Sequence, residues 1–179
     1  MLVYNSPMLR LAERIDRIST AIGRLAAWLI LAVVVIQFTV VLLRYGFGMG
    51  SIRLQESVVY AHALAFLLAA AWTMKAGAHV RVDVFYRGAQ PRTRALVDLL
   101  GTLFLLLPMA GLILWMSVPY ASRSWTILER SQETSGLPLV FLLKTAIPVF
   151  AVLVILQGIA EATRAAATLA TRGKAKRKR

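Results

Sequence analysis

The sequence predicts an all-α membrane protein with four transmembrane helices, both termini on the cytoplasmic side, and an amphipathic helix ahead of the first span. Three observations lead there. Of 179 residues, 59% are hydrophobic and the mean hydropathy is +0.69, above what a soluble domain carries. The apolar residues are gathered into long blocks instead of alternating with polar ones, as expected of spans. Finally, the basic residues alternate along the chain between rich and poor segments, as the positive-inside rule requires.

The first block, residues 25–43 (LAAWLILAVVVIQFTVVLL), is bracketed by Arg24 and Arg44 and interrupted only by Gln37 and Thr39. At 1.5 Å per residue it matches a hydrocarbon layer of ~30 Å. It is too long for a signal-peptide core, and no small-x-small cleavage site follows it, so it reads as a retained span. The remaining spans are expected at about 58–74, 96–118 and 139–159. Trp28 and Trp72 fall near one membrane face, Trp115 and Trp125 near the other, where indole rings prefer to sit. Pro108 and Pro148 are expected to bend spans three and four.

Net charge is +13, from 21 basic and 8 acidic residues. The N-terminal segment, the loop between spans two and three, and the tail hold 16 basic residues against 5 elsewhere. That asymmetry places both termini and the second loop in the cytoplasm. It makes nucleic acid an unneeded explanation. The basic tail is expected to meet anionic lipid.

Residues 1–24 form the expected amphipathic segment. Ser6 suits a helix cap and Pro7 a first turn. Met8, Leu11, Ile15, Ile18, Ile22 and Leu25 recur at helical spacing, with Arg10, Glu13, Arg14 and Arg17 on the other side. Such a helix lies in the membrane surface; the alternative is a cytoplasmic extension of span one. Residues 25–160 are read as the membrane domain and 161–179 as a basic cytoplasmic tail.

Chemistry is scarce. There is no cysteine, so disulfides and thiolate metal sites are excluded. His62 and His79, 17 residues apart, would stand ~25 Å apart on a helix, too far to share a haem iron. YGFGMGS lacks the strand and Gly-Lys-Ser/Thr of a phosphate loop and is expected to be a flexible turn. No nucleophile–base pair or carboxylate dyad emerges, so neither an enzyme nor a bound cofactor is expected. What does emerge is packing and polar rims. Ser57, Ala61, Ala65, Ala69 and Thr73 repeat every four residues, a face that another helix can approach closely. Glu129, Ser131, Glu133 and Ser135 alternate ahead of span four, as a solvated loop or as a docking edge for another protein. Lys144, a few residues into that span, can snorkel outward.

Taken together, Gln55-Glu56 with Tyr60, KAGAHVRVDVFY, PRTRALVDLLG, ERSQETSGLP and LLKTAIP resemble the small membrane subunit (DctQ-type) of tripartite ATP-independent periplasmic (TRAP) transporters. The resemblance runs from about residue 54 to 157. It implies a non-catalytic subunit that pairs with and scaffolds a large membrane subunit. That large subunit would carry the sodium and solute sites, and a periplasmic solute-binding protein would deliver an organic acid. His79, Arg81 and Asp83 are then expected to form a local cluster at the second loop, with direct contact to the large subunit as the alternative. The competing functions are an anchor subunit of another inner-membrane complex and a small oligomeric channel, which would require a polar pore lining.

Overall fold

The computed structural model describes residues 7–78 and 88–176, and side chains for 8–78 and 88–170. The Ser6 cap and the cluster of His79, Arg81 and Asp83 lie outside the described residues. Four long helices, α1 (Pro7–Phe47), α2 (Ile52–Lys75), α3 (Pro91–Thr126) and α4 (Val140–Lys176), make up the described chain, which contains no strand. Each carries a stretch long and apolar enough to cross a membrane.

Local sequence sets the ends. Gly48, at φ +66°, turns the chain between α1 and α2, so Tyr45 and Phe47 are helical and the expected flexible turn shrinks to 48–51. Ser51 is extended and its hydroxyl accepts the Leu54 amide at 3.4 Å, capping α2. At the other end Gly77 adopts φ +65°. Its amide donates to the Met74 carbonyl, and that of Ala78 to Thr73. Such a pair of bonds closes a helix on a left-handed glycine. Pro91 opens α3, where its missing amide costs nothing.

Two features depart from regular helices of span length. First, α1 has 41 residues, about 60 Å of helix, twice the hydrocarbon depth. No break separates residues 7–24 from the first apolar block. The segment expected to lie flat is thus the extension of α1, and it packs on the far end of α4 through Ala12, Ile15 and Ala160. Its buried side is Ala12, Ile15, Ser19, Gly23 and Ala26, while Met8, Leu11, Ile18 and Leu25 face outward. Second, α3 contains a π turn, Thr102–Leu106, in which the Leu107 amide reaches back to the Thr102 carbonyl. Pro108 stands just beyond it. The wider turn absorbs the clash and lost donor that proline brings to a straight helix.

Helix α4 is the hub. It packs against α1, α2 and α3; α1 and α2 also pack together, and α3 leans chiefly on α4. The core is made of small residues. Among the described residues, twelve of the fifteen buried apolar side chains are alanine, including Ala61 and Ala65 of the predicted face. Phe38, Phe66, Phe104, Leu105 and Trp115 point outward. Water would favour the opposite sorting; hydrocarbon does not, because large apolar groups gain nothing by leaving it and small ones let backbones meet. Gly23 shows the closeness: a Cβ there would lie 2.5 Å from Cγ of Trp72. Gly158 likewise admits Leu106 and Leu107 beside the π turn. Gly23→Ala should destabilise the α1–α2 pair by about 1–3 kcal/mol, measurable as a lowered midpoint of thermal unfolding in detergent.

Candidate functional site

The polar side chains concentrate at the two ends of the bundle. At the end where α2 begins, the loop between α3 and α4 folds back over the first turns of α2. Glu56 is the acceptor: Ser131 donates its hydroxyl to one carboxylate oxygen, and the Leu137 amide donates to the other at 2.5 Å. The Ser131 amide donates to the Leu137 carbonyl at 3.1 Å, and its Oγ accepts the Glu133 amide at 3.2 Å. Arg53 Nε reaches the Ser135 carbonyl at 3.2 Å. Gly136 sits where a Cβ would collide with Ser131 and lie 2.8 Å from Glu56 Oε1. Here glycine is required by the close approach.

Glu129 begins the same loop, just after Leu128 at φ 44°. Lys144 Nζ and Ser124 Oγ each donate to its Oε2 at 2.6 Å. The Lys144 ammonium also lies 4.2 Å from the Tyr120 ring centroid. Trp125 donates its indole N–H to Thr145 at 2.8 Å and meets Phe141 edge-on at 4.6 Å. Start and end of the loop are therefore joined across α3 and α4. The hydrogen bond from Lys144, then that from Ser124, holds the Glu129 carboxyl below its ordinary range. Its charge is consumed within the loop, whereas Glu133 and Ser135 are exposed. Of the alternating residues expected to act together, the fold uses Glu129 and Ser131 internally and leaves the other two outward. Glu56 and Lys144 join the first pair. The hydroxyl of Tyr60, one turn from Glu56, is buried without a hydrogen-bond partner.

The opposite end holds a cluster that sequence reasoning missed. Gln157 of α4 is fully buried. Its oxygen accepts from Ser19 at 2.8 Å, and its amide nitrogen donates to Asp16 at 3.2 Å and Glu161 at 3.4 Å. Arg164 pairs with Asp16 at 2.6 Å and Glu161 at 3.1 Å. Lys75, at the end of α2, reaches the Thr20 hydroxyl at 2.6 Å and the Asp16 carbonyl at 3.3 Å. Three helices meet there. The available signal was the helical spacing of Gln157, Glu161 and Arg164 on α4, matched by Asp16, Ser19 and Thr20 on α1. Lys75 and Arg164, which count toward the basic asymmetry of the chain, are thus also hydrogen-bonded within the bundle. Because α2 starts at Ile52, His62 stands well inside the helix.

Between the two ends, the predicted Ala61 and Ala65 are buried and Ala69 partly so. Ser57 and Thr73 bond their own helix, to the Arg53 and Ala69 carbonyls. Among the described residues, no group of three or more metal-ligating side chains occurs.

Four apolar helices with an alanine core, joined by polar clusters at their ends, define a multi-pass membrane protein. Residues 33–168 match the family described as tripartite ATP-independent periplasmic transporters, DctQ component. The chain belongs to that family, as the small membrane component of a TRAP transporter and not as an enzyme. No curated protein and no solved structure matches it.

Two outcomes follow for the loop. Glu56→Ala removes the acceptor of Ser131 and Leu137, and hydrogen exchange at the Leu137 amide should accelerate at least about tenfold. Glu129 has a lowered carboxyl pKa, so its contribution is present above the ordinary carboxylate range and lost as pH falls through the lowered value. Exchange protection of residues 128–131, corrected for intrinsic rates, should stay flat from about pH 8 to 5 and fall only in stronger acid.

Proposed function

We propose that this chain is a non-catalytic scaffold subunit. It pairs with the large membrane subunit of a sodium-coupled TRAP transporter and helps hold that subunit's fixed frame while a solute-carrying part moves. The solute is an organic acid delivered by a periplasmic binding protein. Sodium and solute sites reside on the large subunit.

The observation that carries this reading is where the polar groups are. Ion pairs and hydrogen-bonded carboxylates stand at the two ends of the bundle, and the helices between them meet through alanine and glycine. A carrier or channel needs polar groups along its path; a stationary support needs ends that do not splay. In a mechanism that slides one part past another, such a support is the fixed reference.

Both termini are cytoplasmic in this reading. Arg10, Arg14, Arg17, Arg24, Lys75, Arg92, Arg94 and Arg164 belong to one end of the helices, with fewer basic residues at the other, as the positive-inside rule requires. The loop clasped by Glu56 then faces the periplasm. Its exposed Glu133 and Ser135 are the edge offered to the binding protein, and basic side chains at the other end meet anionic lipid.

Proteoliposomes test the assignment. The chain together with its large subunit should give saturable, binding-protein-dependent uptake of an organic acid driven by a sodium gradient, and the chain alone should give none. Uptake at full rate without this chain would remove the scaffold role, and flux through the chain alone would replace it with an oligomeric channel.

A further inference from the structure

Most hydroxyl groups within the spans have a partner on their own helix. Thr39 donates to the Val35 carbonyl, Thr73 to Ala69 and Ser117 to Leu114. Gln37 of α1 and His62 of α2 have no such recourse. Both are exposed, and among the described residues neither meets a hydrogen-bond partner.

Their depth makes this costly. Gly23 and Trp72 touch across the antiparallel α1–α2 pair. His62 lies ten residues before Trp72, so it stands level with about residue 33, roughly 15 Å from the Gly23 layer. That is the middle of the apolar block at 25–43. Gln37 lies only about four residues, or ~6 Å, further along. A carboxamide and an imidazole at mid-depth lack hydrogen-bond partners if only acyl chains surround them.

Both belong to one face. A groove of about 600 Å³ runs between α1 and α2, lined by Gly23, Ala26 and Ile30 on one side and His62, Phe66 and Ala69 on the other. Gln37 is seven residues beyond Ile30, nearly two full turns, and so continues the same side of α1. Small residues on the floor let a helix backbone come close, and two polar groups at mid-depth supply what apolar packing lacks in lipid.

We propose that this α1–α2 face seats one transmembrane helix of the large subunit. That helix is apolar and carries a carboxamide or hydroxyl side chain at mid-depth, which hydrogen-bonds Gln37 and His62. The inference rests on the scaffold reading and adds to it the surface and the anchoring residues. An acyl chain fills a groove but accepts and donates nothing, so it leaves both polar groups unsatisfied.

The absence of cysteine makes a direct test available. Phe66→Cys, on the rim of the groove, and Phe104→Cys, on the outer face of α3, are labelled with a lipid-soluble maleimide in the free chain and in the purified two-subunit complex. Phe66→Cys should react in the free chain and become unreactive in the complex, while Phe104→Cys reacts in both. His62→Leu should weaken assembly about tenfold, the worth of one desolvated hydrogen bond, and His62→Gln should restore it. If the complex forms yet Phe66→Cys stays reactive, the docking face is elsewhere and the scaffold reading survives. If no complex forms, both fall. Cross-linking of Phe66→Cys to a second copy of itself within the complex would overturn the proposal in favour of self-association.

Discussion

Gln157 holds a position on which much of the assembly depends. A carboxamide with no exposed surface must satisfy its oxygen and its nitrogen locally, or destabilise the fold. It does so by accepting from Ser19 and donating to Asp16 and Glu161, while Arg164 closes the ring. This fixes the rotation of α1 about α4 as well as their separation. Because α1 continues unbroken from that contact into its apolar block, the orientation set there is carried along the whole helix. Lys75 then brings the end of α2 to the same place.

Cohesion in such a molecule cannot come from apolar groups fleeing water. It comes from close packing and from polar groups that have no better partner. Here the two sources are separated in space. Alanine and glycine bring the helices together along their lengths, and hydrogen-bonded clusters fix the ends. The Glu56 clasp acts on the loop and the start of α2. The Glu129–Lys144 pair acts on α3 and α4. Pairs near the surface contribute little singly, and the value of this half-buried one lies in selecting one loop conformation. A bundle held at both ends transmits displacement instead of absorbing it, as the proposed scaffold role requires.

The helices were legible because apolar length is a composition signal that needs no tertiary information. The block at 25–43 was read directly. The true extent of α1 was not. Arg24 resembled a boundary, yet arginine is a good helix former, and no glycine–proline punctuation follows it. The packing side of the N-terminal segment had no signal in its apolar spacing: Met8, Leu11, Ile18 and Leu25 face outward, and the helix packs inward through small residues such as Ala12. Glu56 and Ser131 meet across 75 residues of sequence, and Asp16 and Arg164 across 148. Spacing within a helix carries no trace of such pairs. Glu129 and Lys144 were both singled out, but only the fold of the loop shows that they neutralise each other.

The π turn of α3 sets the phase of everything after it. A five-residue repeat inserted among regular turns advances the following helix by one residue, rotating its downstream faces by about 100° relative to an uninterrupted helix. Trp125 is thereby aimed at Thr145 and Phe141, and Ala110 and Ala121 turn inward. Excising a single residue from that turn would let it close into an ordinary one and leave the downstream teeth meshed, whereas excising one from the regular turns beyond would swing the rest of α3 onto the wrong neighbour.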